Sequence, residues 1–163
     1  MGLVLHKERC PENAKLRAFV EWWDVDGPFQ IVILRGTTTD VLQLNEYRKG
    51  RSQLANGQWI VVDKNAVVTH AHRAADSAHG HAAAFDAHPV RALYASGGVR
   101  LVYLGDEADE EVRREALKRF RTYDDLARGH GLEAGDMFKN LVDRPHVQDP
   151  GWRSLPLALG VSS

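Results

Sequence analysis

Ser77-Ala78-His79-Gly80-His81-Ala82-Ala83-Ala84-Phe85-Asp86 decides how this chain folds. The stretch is small, apolar and nearly free of charge, yet it holds two imidazoles and one carboxylate. A second short stretch, Asp143-Arg144-Pro145-His146, brings another carboxylate and another imidazole. Two His and one Asp drawn from the two stretches, His79, Asp86 and His146, suffice for three protein ligands on one divalent ion, with a fourth position open. His79 and Asp86 lie seven residues apart, which would span ~23 Å if extended. Gly80–Ala84 must therefore bend, and Ala82–Asp86 is expected to enter a strand end. Pro145 fixes its own φ and restricts Arg144, so Asp143 and His146 are held in a stiff link. Asp143 is then placed to face the open position as a base without being a ligand.

The residue pattern around these stretches predicts a small α+β domain of mainly antiparallel sheet flanked by helices, with the zinc site at the sheet. Leu16, Phe19, Val20 and Trp23 recur at helical spacing within 12–23, after Pro11. Phe29–Leu34 reads as a buried strand. Thr39 or Asp40 caps a helix that runs to about Lys49, with Val41, Leu44 and Tyr47 on one face. Ile60–Val62 and Ala66–Val68 read as short strands, and 69–80 as loop. Val99–Leu104 reads as a strand. Residues 107–129 read as the longest helix, with Val112, Leu117, Phe120, Tyr123 and Leu126 inward. Residues 150–163 form a tail, and the whole of 1–163 is expected to be one domain.

Composition narrows the chemistry. The 163 residues are 44% hydrophobic and 26% charged, with a formal net charge of −1, so no bulk electrostatic footprint argues for nucleic acid. Cys10 is the sole cysteine, which excludes an intrachain disulfide and a thiolate metal knuckle. Five of the eight histidines fall between 70 and 88. Of these, His70, His72, His81 and His88 are expected to be structural or surface residues. His70-Ala71-His72 and His79-Gly80-His81 stand as rival His-x-His metal pairs. Taken singly, His-x6-Asp and Asp-x-Pro-His are short motifs that solvated or turn-capping residues often satisfy. The N-terminus carries no signal-peptide h-region and no apolar run reaches the ~18 residues of a membrane span.

In combination the motifs resemble a known family: the zinc-dependent D-Ala-D-Ala carboxypeptidases and dipeptidases, with the L-alanyl-D-glutamate endopeptidases of phage endolysins. Its core motif, Ser-x-His-x-x-Gly-x-Ala-x-Asp, is similar to Ser77, His79, Ala84 and Asp86 in register. Gln43, Leu44, Tyr47, Gly50, Arg51 and Ser52 resemble the family's upstream Gln helix and Gly-Arg pair, and Val68-Thr69-His70-Ala71 its Val-Thr-x-Ala. Gly131-Leu132-Glu133-x-Gly135-Asp136 and Asp143-x-Pro145-His146-x-Gln148 resemble the endolysin ending. The likeness covers about 29–148. It implies His79, Asp86 and His146 as zinc ligands and Asp143 as catalytic base; Ser77 is a candidate to orient substrate or a ligand, or else a turn-forming residue. It also implies a peptidoglycan peptidase, foremost an L-alanyl-D-glutamate endopeptidase acting as a phage endolysin. The alternatives are a D-Ala-D-Ala carboxypeptidase or dipeptidase, and a catalytically weakened wall-binding protein of the same fold. The implied cofactor is Zn2+ and the partner a peptidoglycan stem peptide, with no nucleic acid and no stable membrane association. The chain is expected to be a monomer, made in the cytoplasm without a signal peptide and acting on the cell wall after release to the host periplasm.

Three positions depart from the family pattern. Ala82 replaces a Gly, which a methyl tolerates if φ is negative there. Thr38 stands where the family has an Arg that stabilises an oxyanion or binds a substrate carboxylate, and a hydroxyl offers neither charge nor a donor fork. Arg35, three residues earlier, is the candidate substitute cation; the alternatives are a slipped alignment or an enzyme that is weak or altered in specificity. Ala134 stands where the family's endolysin motif has a pocket Trp.

Overall fold

A computed structural model describes residues 2–93, 99–101, 110–139, 142–158 and 161. Helix α1 (Ala14–Asp26) starts where Asn13 accepts hydrogen bonds from the backbone N–H groups of Lys15 and Leu16, at 3.0 and 3.2 Å. Such a cap contributes about 1 kcal/mol. Its inner face is Leu16, Phe19, Val20 and Trp23, all buried as the spacing predicts. The Trp23 indole N–H donates to the Phe29 carbonyl at 2.8 Å, so the largest buried ring also has its polar atom satisfied. Helix α3 (Glu110–Gly129) closes the same core from another side with Tyr123 and Ala127. Residues 107–109, expected in this helix, lie outside the described residues, and its inner face is Ala116, Phe120, Tyr123, Asp124 and Ala127. Leu126, expected inward, packs part-buried against the core.

Both helices cover one face of a mixed sheet, Phe19 and Trp23 of α1 meeting Tyr123 of α3 at 6.1 and 5.5 Å. Its strands are β1 (Leu3–Leu5), β2 (Gln30–Arg35), β5 (Ala84–Leu93), β6 (Val99–Leu101), β7 (Glu133–Ala134) and β8 (His146–Gln148). The order is β1-β2-β5-β8-β7, with β6 also paired to β5. The β1–β2 pair is parallel and all others are antiparallel. The α+β class and the mainly antiparallel sheet are thus as the sequence predicts. A separate hairpin, β3 (Arg51–Gln53) with β4 (Trp59–Val61), follows helix α2 (Asp40–Arg48).

Several elements differ from the sequence expectation. Ala66–Val68 is not a strand: a 3-10 turn occupies Lys64–Ala66. Of Val99–Leu104, the strand covers Val99–Leu101, and 102–104 lie outside the described residues. Val41 is exposed, at 70%, and the residue that α2 buries is Gln43. A polar residue can take that place because its amide is fully used. It donates to the Ala71 carbonyl at 2.8 Å and the Thr69 hydroxyl at 3.3 Å, and accepts from Arg35 at 3.1 Å.

The largest difference is β5. It does not stop near Asp86 but runs ten residues through Pro89. The β8 strand pairs with residues 84–86 and β6 with residues 90–93. The Ala87 N–H points to the β8 side, where it donates to the Pro145 carbonyl at 2.9 Å. With a period of two, the N–H missing at Pro89 would point to that same side, in the interval where β8 has ended and β6 has not begun. The proline therefore removes no ladder bond.

Candidate metal centre

The sheet register assembles the site. Asp86 on β5 lies opposite His146 on β8 and, on its other flank, opposite Arg35 on β2. Residues directly opposite in antiparallel strands share a face, so these three side chains form one row across three strands. Arg35 joins the row only because the β2–β5 register shifts between Ile33 and Arg35. Without that bulge Leu34 would stand opposite Asp86. Phe85 and Val147, the alternate residues, point into the core. The second imidazole comes from the 3-10 turn Ala78–His81, capped by Ser77, whose hydroxyl accepts from the Gly80 N–H at 3.3 Å.

Three atoms converge. His79 Nε2 is 3.2 Å from Asp86 Oδ1 and 3.2 Å from His146 Nδ1, and His146 Nδ1 is 3.1 Å from Asp86 Oδ1. Among the described residues this is the group able to hold a metal ion. Ligands at zinc distances of about 2.0–2.1 Å in a tetrahedron stand about 3.3–3.4 Å apart, so the triangle matches one tetrahedral face with its apex open.

The outer hydrogen bonds fix which nitrogens face inward. His79 Nδ1–H donates to the Gly36 carbonyl at 2.6 Å, which turns its Nε2 lone pair to the centre. His146 Nε2–H donates to Gln148 Oε1 at 2.9 Å, which turns Nδ1 to the centre. The Gln148 amide is itself oriented, since its NH2 donates to Glu133 at 2.6 Å. Two imidazole nitrogens and a carboxylate oxygen facing one another could hold a metal ion, and outer partners of this kind orient metal-binding histidines. Burial disfavours the charged form of His79 and lowers its pKa against the pull of Asp86. Burial also opposes the charge on Asp86, but His79 and His146 outweigh it and hold that carboxyl well below its usual range. Burial opposes protonation of His146 as well, and the hydrogen bond and charge of Asp86 overcome it to raise its pKa.

Asp143 sits beside this centre, lining the same cleft of about 400 Å³ as His79, His146 and Arg35. Its backbone is tied at both ends of a turn: its N–H donates to the Gly135 carbonyl at 2.9 Å, and its own carbonyl accepts from the His146 N–H at 3.0 Å. The approach to Gly135 is so close that a Cβ there would stand 1.9 Å from the Asp143 carbonyl oxygen. Burial, reinforced by the charge of Asp86, pushes the Asp143 carboxyl up to about 6. The following Arg144 reaches the buried Asp124 of α3 at 3.4 Å, anchoring the turn to the helix.

The other positions expected at the site fall as follows. Arg35 is in the cleft, held by Gln43. Ser77 lines the cleft, but its hydroxyl is engaged in the turn, donating to the Ala74 carbonyl at 3.1 Å. Thr38 does not line it: the side chain is buried behind His79, and its backbone N–H donates to the His79 carbonyl at 3.2 Å. His81 turns away, with its ring nitrogens against the carbonyls of Leu155 and Ala75, and His70 and His72 are exposed. Neither His-x-His pair forms the centre. Ala134 is buried in β7, and the wall is supplied instead by Phe138, 5.3 Å from the His146 ring, and Trp152. Sequence reasoning missed those two aromatics as site residues, along with the Gln148–Glu133 support. The period-two spacing of His146 and Gln148 on one strand was the signal for the latter.

Ala82 corrects an expectation: its φ is +51°, left-handed rather than negative. It ends the His79 turn, its N–H donating to the His79 carbonyl at 3.2 Å. An L-residue there carries about 1–2 kcal/mol of strain. Ala82→Gly is expected to stabilise the protein by up to about 1 kcal/mol in denaturant titration, with the site unchanged. Gln148→Leu is expected to weaken metal binding by about 10–100-fold in competition titration, because the His146 tautomer loses its acceptor.

No protein-family model matches the chain, and no curated protein matches it. Among solved structures, the L-Ala D-Glu endopeptidase ChiX of Serratia marcescens is similar at 17% identity and a TM-score of 0.41, over 90% of this chain and 81% of that one. Likeness at this level identifies neither a family nor an activity for this chain. No helix among the described residues is long and apolar enough to cross a membrane.

Proposed function

We propose that this chain is a zinc-dependent peptidase of bacterial peptidoglycan that cuts within the stem peptide, foremost at the L-alanyl-D-glutamate bond, as a phage endolysin does. The observation that carries the proposal is the convergence of His79 Nε2, Asp86 Oδ1 and His146 Nδ1 to within 3.1–3.2 Å, beside Asp143 in an open cleft. The order of motifs along the sequence points the same way. A divalent ion held there would supply Lewis-acid polarisation of a carbonyl and a lowered pKa for water.

The chain's own groups do the rest. Asp143 accepts the proton of the attacking water and returns it to the leaving amine. Its raised pKa in this structure is set by burial and by Asp86, and a bound dication would oppose both. Arg35 donates to the oxygen on which charge develops, taking the part that Thr38 cannot. Gln43 holds that guanidinium at 3.1 Å, so it acts as a positioning residue.

Cleavage inside a chain, rather than removal of a terminal residue, is favoured by the shape of the site. A second cavity, of about 580 Å³, lies on the Asp86 side between Leu34, Glu46, Val142 and Pro145. It shares Arg35, Val68 and Asp143 with the first cleft. A substrate therefore has room on both sides of the reacting centre.

Digestion of purified peptidoglycan with the zinc-loaded protein, read by mass spectrometry, is the test. New L-alanyl C-termini and D-glutamyl N-termini are the expected products. Release of D-alanine instead identifies a carboxypeptidase or dipeptidase. Tight wall binding with no new termini identifies a non-catalytic wall-binding protein.

A further inference from the structure

The mouth of the 400 Å³ cleft carries more positive charge than its floor needs. Beyond Arg35, it is lined by Lys139 and Arg153, from segments on either side of His146. Lys139 follows Phe138, whose ring is fixed over His146 at 5.3 Å. Arg153 lies over the Trp152 ring at 4.4 Å, and Trp152 is itself buried and packed on His81 at 5.2 Å. Stacking of this kind orders a guanidinium without using its donors. Neither cation forms an ion pair among the described residues. The cleft's two carboxylates do not neutralise them: Asp76 is paired with Arg73 at 3.2 Å, and Asp143 stands at the metal centre. The second cavity differs, because Lys49 there is paired with Glu46 at 2.7 Å and its walls include Leu34, Val142 and Pro145. A chain of net charge −1 thus concentrates unpaired cations at one end of its groove.

We propose that Lys139 and Arg153 form a carboxylate-reading clamp, which selects peptides bearing a free carboxylate next to the cleaved bond and sets which way the peptide lies in the groove. This rests on the peptidase reading above. The occupant is an acidic peptide segment. Charge complementarity at the cationic end supports it, while the other end suits a neutral or apolar portion. A clamp that reads charge adds discrimination as well as affinity, since amidation of the partner removes the counterion of both cations.

The test separates binding from turnover. The probes are two synthetic stem peptides containing L-alanyl-γ-D-glutamyl, identical except that the glutamyl α-carboxyl is either the sole free carboxylate or amidated. Affinities are measured by calorimetry on zinc-loaded protein carrying Asp143→Asn, with and without Lys139→Ala and Arg153→Ala together. The free acid is expected to bind about 10-fold or more tightly than the amide. The double substitution is expected to remove that preference while leaving amide binding unchanged. Equal binding of both peptides by the parent protein overturns the clamp, as does equal weakening of both by the double substitution. Hydrolysis of the free-acid peptide by protein with Asp143 intact is followed separately. If it is absent while the preference in binding persists, the peptidase reading fails and the clamp stands. Single Arg153→Lys keeps charge without stacking, and partial retention of the preference is expected from it.

Discussion

Replacing Asp143 by Asn is expected to leave the metal content of the protein unchanged and to lower kcat/KM on stem peptide by about 10²–10⁴-fold, the range a positioned general base contributes. The geometry separates the two properties. The metal-facing atoms belong to His79, Asp86 and His146, and Asp143 is outside their triangle. Its backbone is held by the Gly135 carbonyl and the His146 N–H, neither of which the substitution touches. Asn preserves the shape of the side chain and cannot accept the proton. Metal analysis beside a peptide assay checks the prediction, and parallel loss of metal and activity would make Asp143 a ligand instead.

The second large effect concerns the ligands. His79→Ala is expected to weaken zinc binding by about 10²–10³-fold, since about 10–16 kcal/mol over four ligands makes each worth roughly 2.5–4 kcal/mol. Zinc at a hundredfold excess over its Kd should stabilise the native protein by about 2.7 kcal/mol, or roughly 5–11 °C in Tm for a chain of this size. A chelator should remove that increment from the parent protein and leave the Tm of the variant unmoved. The Gly36 carbonyl loses its partner in the variant as well, so metal-free melting of both proteins is the control for damage to the fold. An undiminished zinc-dependent Tm rise in the variant would place the ion elsewhere.

Much of this centre is legible in the sequence because its chemistry is local in kind though distant in position. Imidazoles and carboxylates are few in an apolar stretch, and the bend across Gly80–Ala84 follows from simple reach. The buried face of α1 is legible for a similar reason, because a 3.6-residue period repeats at Leu16, Phe19, Val20 and Trp23. What is not legible depends on neighbours. The strand expected to end near Asp86 continues through Pro89, which only the interval between β8 and β6 makes harmless. Glu133–Ala134 and His146–Gln148 are too short to announce themselves as strands, and they exist because β5 offers an edge. The spacing puts Val41, Leu44 and Tyr47 on the inner face of α2, and only the carbonyl of Ala71 and the guanidinium of Arg35 make Gln43 the residue it buries. The left-handed Ala82 is invisible because alanine advertises the opposite backbone.

Because the two rings that would face an ion are 67 positions apart along the polymer, affinity for it would belong to the finished fold and to no fragment of it. Sliding β8 by one residue against β5 would turn His146 inward and Val147 outward, so a mispaired chain has no binding capacity to rescue it. An excised peptide covering either half should bind zinc no better than any pair of loose histidine and aspartate side chains. A chain drawn through a narrow pore as an extended thread would release any ion held there, and would regain the site only after refolding.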